Sequence, residues 1–347
     1  MPLTEVLFFN IKTENLKTSE ELNGKKIEHE FTVFKLPRIS IESVWDAKIL
    51  AKRLGRKLFP ALSDLIKNEK DKKRRAQYVK TKAWVIKKTV THPRWVEKCA
   101  QKLLSKMKNT DIIKNLPLDY RQIKKDICMA ALLHDIGRLC EVDLSGSGVE
   151  VVPYGLRKSH ALLGYEMLKT LKIKPEILLA VRYHEFWGLA EAKNDERYIC
   201  LSAKRKELAD FYIRVLQDMD KTANLQERSA FGIKKSAEFF NPYYVHDYDI
   251  TDEYLKTALE GKYLSPKGGH LLDVMVHLMT WTYETHFAQT KEMLSLISAD
   301  LFKQMYGEAQ REFENSADKN KERLQKTLDK IAVLEEYVTR KYSACAR

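Results

Sequence analysis

The run Ala130-Ala131-Leu132-Leu133-His134-Asp135-Ile136-Gly137 ends an apolar helical segment with an imidazole and a carboxylate side by side, two groups that can grip one metal ion together. His-Asp dipeptides also arise by chance on solvated surfaces, so this pair gains its meaning from its company. His92 stands 42 residues upstream, and His160, His184 and Asp220 follow at intervals of 26, 24 and 36, each in what reads as its own helix. Six donors on five helices constrain the fold strongly, because several helical segments must deliver polar groups to one place. Gly and Pro are scarce, 13 and 9 of 347 residues, which favours helices over sheets.

The residue types indicate a chemistry. Neutral imidazoles combined with carboxylates suit Mn, Fe, Co, Ni or Zn as divalent ions, whereas an all-oxygen set would suit Mg or Ca. Six such donors are most economically arranged around two ions, with one carboxylate shared and each ion short of full coordination. Water and substrate then have room to bind. A bridged pair lowers the pKa of a trapped water, polarises a phosphoryl oxygen and clamps both attacking and leaving oxygens.

The pattern resembles the HD metal-dependent phosphohydrolase superfamily. His92-Pro93-Arg94-Trp95-Val96, continuing to Ala100 and Leu104, is similar to the family's first helix, where a ligand histidine is followed at +4, +8 and +12 by buried small or apolar residues. Pro93 suits the first turn of a helix. Ala130 to Gly137 matches the central motif, Ser159-His160-Ala161-Leu162-Leu163-Gly164 the third ligand segment, and Val181-Arg182-Tyr183-His184-Glu185 the fourth. Gly164 would allow a close helix contact. In Asp218-Met219-Asp220-Lys221 either carboxylate could be the closing ligand, but not both, since residues two apart face about 200° from each other on a helix. Asp220 is preferred for the register of Ala223-Asn224-Leu225. The resemblance runs from about residue 85 to 290, with Trp281 and Phe287 near its end.

The resemblance implies a site. His92, His134, Asp135 and Asp220 would hold a first metal, and Asp135 would bridge to a second held by His160 and His184. Asp135, Arg138, Lys221 and Glu185 are the candidate catalytic residues, Glu185 as a proton carrier. Arg138 and Lys221 are also candidates for holding phosphate oxygens, with Arg182, Lys158 and Arg157 behind them. The implied activity is metal-dependent hydrolysis of a nucleotide or related phosphoester, with cyclic dinucleotides and nucleic acid next in order. Guanosine tetraphosphate is disfavoured, because relatives acting on it carry acidic residues where this chain has Gly137-Arg138-Leu139, and no glycine-tyrosine-proline signature of cyclic dinucleotide specialists is found. Two other classes keep the same ligands: a mixed-valence di-iron oxygenase, and a nucleic-acid or protein-binding module with a structural metal site. The remaining histidines, His29, His246, His270, His277 and His286, match no family position, and His270 and His277 read as sharing a helix face.

The expected fold class is mainly α: an HD-domain helical core over residues 81–290, a small α+β extension over 1–80 and a helical extension over 291–347. Residues 4–12 and 27–36 read as strands of a hairpin separated by Thr13 to Lys26, and Ser43 to Leu54 as a helix closed by Gly55. Leu144 to Tyr154 and Asn241 to Asp252 read as loops. Leu324, Leu328, Ile331, Leu334 and Val338 form one apolar stripe, suited either to packing within its own domain or to a short coiled coil joining a homodimer.

Five cysteines without paired motifs read as reduced thiols, no segment is apolar enough to span a membrane, and the N-terminus lacks a basic region followed by an apolar one, so a cytoplasmic protein is expected. The net charge of +13 points to an anionic partner, a phosphorylated small molecule or nucleic acid. Its densest run, Lys70, Lys72, Lys73, Arg74 and Arg75, followed by Lys80, Lys82, Lys87 and Lys88, reads either as a solvated helix face or linker or as a nucleic-acid patch.

Overall fold

A computed structural model describes residues 12–22, 25–35, 43, 46–50, 63–64, 66–143, 150–151, 159–185, 188–235, 249–263, 270–315 and 319–343. The architecture is mainly α, and the chain divides by packing into two units, Met1–Gln217 and Asp218–Arg347.

In the first unit, strands β1 (Lys12–Leu22) and β2 (Lys25–Lys35) pair antiparallel, with Lys12 opposite Lys35 and Leu22 opposite Lys25. This corrects the sequence reading: Thr13–Lys26, expected to separate two strands, is itself largely strand, while residues 4–11 lie outside the described residues. The polar sequence of β1 has no alternation of apolar residues to betray it, and only its pairing with β2 identifies it. Of the helix expected over 43–54, residues 46–50 are described as helix; the Ser43 hydroxyl accepts from the Asp46 amide and the Asp46 carboxylate accepts from the Ser43 amide. Its end at Gly55 lies outside the described residues.

The basic run is helical. Asp71 caps helix α1 (Lys72–Ile86) by accepting from the Arg74 amide at 2.9 Å, and Tyr78, Thr81 and Val85, three and four residues apart, form its buried face. A π-helical turn over Lys87–Thr91 leads directly into α2 (His92–Met107), with right-handed backbone maintained at Ile86, Lys87 and His92. Pro93 occupies the first turn of α2, and Val96, Ala100 and Leu104 are fully buried, as the spacing from His92 requires. After a short α3 (Asp111–Lys114), α4 (Tyr120–Leu133) is capped by Asp119 and packs against α2. A 3-10 turn (Ile136–Glu141) follows, and Val142–Asp143 (β3) pairs with Glu150–Val151 (β4), so the stretch read as a loop contains part of a small ladder. Helices α5 (His160–Leu168), α6 (Pro175–Arg182), α7 (Gly188–Ala192), α8 (Glu196–Ile199) and α9 (Ala203–Phe231) complete the series; the division between units falls within α9.

Buried polar groups tie the first unit together. Asp126 accepts from Lys174 Nζ at 2.8 Å, the Tyr212 hydroxyl at 2.9 Å and Gln122 Nε2 at 2.7 Å, and Glu176 takes Arg205 with two bonds of 2.5 and 2.8 Å. Packing demands glycine at Gly137 and at Gly188, where a Cβ would stand 2.0 Å from the Tyr183 carbonyl oxygen. A Cβ on Gly137 would stand 2.0 Å from the His160 carbonyl oxygen and 2.4 Å from the Gly164 amide, so the turn after His134-Asp135 closes on α5 only because Gly137 has no side chain. Gly164, the residue singled out from sequence, is the less crowded partner in this contact.

The second unit has its own apolar core. Helices α10 (Asp252–Leu259), α11 (Leu271–Thr280), α12 (Ala288–Asn315) and α13 (Lys321–Ser343) bury Leu272, Met275, Leu294, Leu301, Phe302, Ile331, Leu334 and Val338 together. The C-terminal stripe is thereby used inside the unit: Ile331, Leu334 and Val338 are fully buried, and Leu324 and Leu328 pack partly buried against the same core. His270 caps α11 rather than sharing a helical face with His277. No helix among the described residues is long and apolar enough to cross a membrane.

Candidate metal centre

The site is assembled from helix ends. His92 begins α2, His134 follows the last turn of α4, His160 begins α5, and His184 follows α6 by two residues. The sequence reading set each ligand in its own helix; the structure places these four at boundaries, where helical backbone leaves N–H and C=O groups unpaired. His134 Nδ1 donates to the Ala131 carbonyl and His184 Nδ1 to the Val181 carbonyl, both at 2.8 Å and both three residues back. Each bond fixes the tautomer and turns a lone pair on Nε2 towards the site.

His160 is held from the other side. Its Nδ1 lies 3.3 Å from Glu185 Oε1, and Glu185 Oε2 accepts from the Ser159 hydroxyl at 2.5 Å. Ser159 also caps α5, accepting from the Leu162 amide at 3.3 Å. Burial pushes the Glu185 carboxyl up, but His160, His184 and the Ser159 hydroxyl outweigh it and hold the pKa below its ordinary value. Glu185, expected as a proton carrier, is therefore placed as the carboxylate behind a histidine. Sequence reasoning missed Ser159; the serine directly before a helical histidine, in the cap position, was the available signal.

His92, His134 and Asp135 each offer a donor atom within 4.8 Å of the others, and so do Asp135, His160 and His184; all five residues are buried. Asp135 belongs to both groups. The donor chemistry fits a cation. His160 Nε2 lies 3.0 Å from Asp135 Oδ1 and 3.0 Å from His184 Nε2. With Nδ1 of both rings facing oxygen acceptors, these three atoms bring lone pairs together, a repulsive contact that a divalent ion relieves. Nitrogen and oxygen donors without thiolate suit the first-row transition metals. Arg138 offers partial relief, with Nε 3.2 Å from Asp135 Oδ1 and Nη2 3.3 Å from His160 Nε2. Burial alone would raise the Asp135 pKa, yet Arg138, with His134 and His160, holds it well below the usual carboxylate range.

The basic candidates are placed differently. Arg182 lies over the rings of Tyr165 and Tyr183, with Nε 3.5 Å from Asp195 Oδ2, so its guanidinium is engaged in a cluster of its own. Lys158 and Arg157 lie outside the described residues. In the second unit, Lys221 donates to the Glu284 carbonyl at 2.9 Å, and burial lowers its pKa. Asp218 is fully buried and accepts from the His286 amide at 3.0 Å and the Phe287 amide at 3.3 Å; burial pushes its carboxyl up to about 6 against these bonds. Asp218 thus has a structural task. Asp220 is less buried, and its Oδ1 accepts from Asn224 Nδ2 at 3.1 Å.

A family model for the HD domain matches residues 89–225, a stretch that starts just before His92 and ends just after Asp220, short of the end point near 290 suggested by sequence. No curated protein and no solved structure matches the chain. HD domains bind divalent metals, and the buried histidines and Asp135 supply the donor groups for one. The match over residues 89–225 is to the HD domain and is consistent with the HD-domain superfamily, whose members are in general metal-dependent phosphohydrolases.

Proposed function

We propose that this protein is a dinuclear metal-dependent phosphohydrolase acting on a nucleotide or related phosphoester. The observation that carries the reading is the shared position of Asp135, which stands in two adjoining groups of three donors. In this reading His92, His134 and Asp135 hold one ion and Asp135, His160 and His184 the other, with Asp220 completing the first set in keeping with the family pattern. When bound, two divalent ions supply Lewis acidity towards a phosphoryl oxygen and a hydroxide nucleophile at neutral pH.

The protein's own groups do the rest. Arg138 has five N–H donors in a fixed fork and stands at the more exposed edge of the cluster, beside Asp135 and His160, where it orients phosphoryl oxygens and offsets the charge that grows on them. Glu185 and Ser159 hold the His160 ring in place. His134 and His184 are locked by backbone carbonyls, so the donor atoms are positioned before any ligand arrives.

Elemental analysis of the purified protein, followed by a phosphatase and nucleotide screen with Mn, Co, Ni, Mg and Fe added separately, tests the reading. About two ions per chain with phosphate release is the expected result. One ion per chain would remove the bridging role of Asp135, and bound iron with oxygen uptake but no phosphate release would replace hydrolysis with oxygen chemistry.

A further inference from the structure

Between Lys72 and Lys108 the chain has thirteen Lys and Arg residues and a single carboxylate, so this one helical segment accounts for +12 of the total charge of +13. The carboxylate, Glu97, is buried and paired with Lys48 at 3.0 Å, leaving no acidic group on the solvent side of the segment. On α2, Arg94, Lys98, Lys102 and Lys106 recur at every fourth residue and are all exposed. A step of four advances about 40° around a helix, so the four lie along one stripe about 18 Å long. On α1, Lys72, Lys73, Arg74, Arg75 and Lys80 are exposed as well.

Folding does not explain this arrangement. Like charges four residues apart destabilise a helix, and four cations in the first turn of α1 oppose the helix dipole. A face that exists only for solubility mixes signs, as α13 does with Glu322, Lys326, Asp329, Glu335, Glu336 and Arg340. The separation of charge is confined to one segment and runs against local helix stability, which is the mark of a surface shaped by a ligand.

We infer that the exposed face of α1 and α2 is a nucleic-acid binding surface that contacts the phosphodiester backbone without reading sequence. A duplex presents one negative charge per about 1.7 Å of axis, a continuous polyanion to match a continuous row of cations. Trp95, half-buried with Lys98 Nζ 5.2 Å from its ring, adds flat aromatic surface of the kind bases stack on. A bilayer is the weaker match, because membrane-surface helices need an exposed apolar face and Val96, Ala100, Leu103, Leu104 and Met107 are all buried in the core. The inference does not rest on metal binding or hydrolysis.

The test uses fluorescence anisotropy of the full chain with labelled mixed-sequence RNA and duplex DNA, titrated in KCl. If the four cations of α2 neutralise four phosphates, affinity falls on the order of 100-fold between 50 and 200 mM salt. The triple variant K98E/K102E/K106E is expected to lose binding more than tenfold and to flatten that slope, while K256E/K303E/K321E, with the same change in net charge, retains it. If the first variant fails to fold by circular dichroism, K72E/K73E/K80E on α1 takes its place. Binding of either nucleic acid with this pattern supports the inference. It is overturned by no binding at low salt, by equal losses in the patch and control variants, or by binding to polyglutamate or anionic vesicles in place of nucleic acid.

Discussion

His134 and His184 reach the centre by the same local device, a side chain just past a helix end that returns its Nδ1 proton to the carbonyl three residues earlier. The device depends on backbone, so it resists side-chain mutation; His160 depends on Glu185 and Ser159 and does not. Glu185→Ala is expected to weaken metal affinity about 10- to 100-fold, and Glu185→Gln, which keeps an acceptor for Nδ1, to restore most of it, as read by metal titration. The two aspartates of α9 separate in the same way. Asp218→Ala strips the acceptor from the His286 and Phe287 amides and is expected to cost about 1–3 kcal/mol of stability with metal content intact. Asp220→Ala is expected to lower metal content with little loss of stability; the reverse pattern would move the ligand to Asp218. At this scale the histidines and Asp135 were legible because their chemistry and spacing are written in the chain. The surroundings of Glu185, Arg182 and Lys221 were not, because which groups a charged side chain meets depends on residues 13 to 63 positions away.

Helices were read well where an apolar period ran along them, as in α2 with Val96, Ala100 and Leu104, and in α13 with Ile331, Leu334 and Val338. Strand β1 was missed because its register is set by the facing strand, and the basic run was left between helix and linker because lysine and arginine suit both. Glycine shows the same limit. Gly137→Ala is expected to destabilise the protein by about 1–3 kcal/mol or more, since the new Cβ would meet backbone that cannot yield. Gly307→Ala, within α12 and with only Arg311 Nη2 at 3.9 Å, is expected to stabilise it by about 0.5–1 kcal/mol. Thermal melts of the two variants give opposite signs if both assignments hold.

At the scale of the molecule, the division after Gln217 was not foreseen, because it is made by contacts between residues far apart in the chain. Lys330 shows how: its ammonium is 3.0 Å from Asp249, 2.7 Å from Asp252 and 2.5 Å from the Ile250 carbonyl, joining α13 to the start of α10 across some 80 residues. Metal binding acts on this molecule as on any folded state that alone holds a ligand. Chelation of the loaded protein is therefore expected to lower its melting temperature, by the equivalent of about 2.7 kcal/mol if the ion stands at 100 times its dissociation constant, and Asp135→Ala should remove the response. The concentration of charge in residues 72–108 has an electrical consequence. The rest of the chain sums to about +1, so nearly all of the excess positive charge is carried by a small part of the sequence. The high isoelectric point of 9.2 is therefore owed almost entirely to one helical segment, and acylating its ten lysines alone would cut the net charge from +13 to about +3.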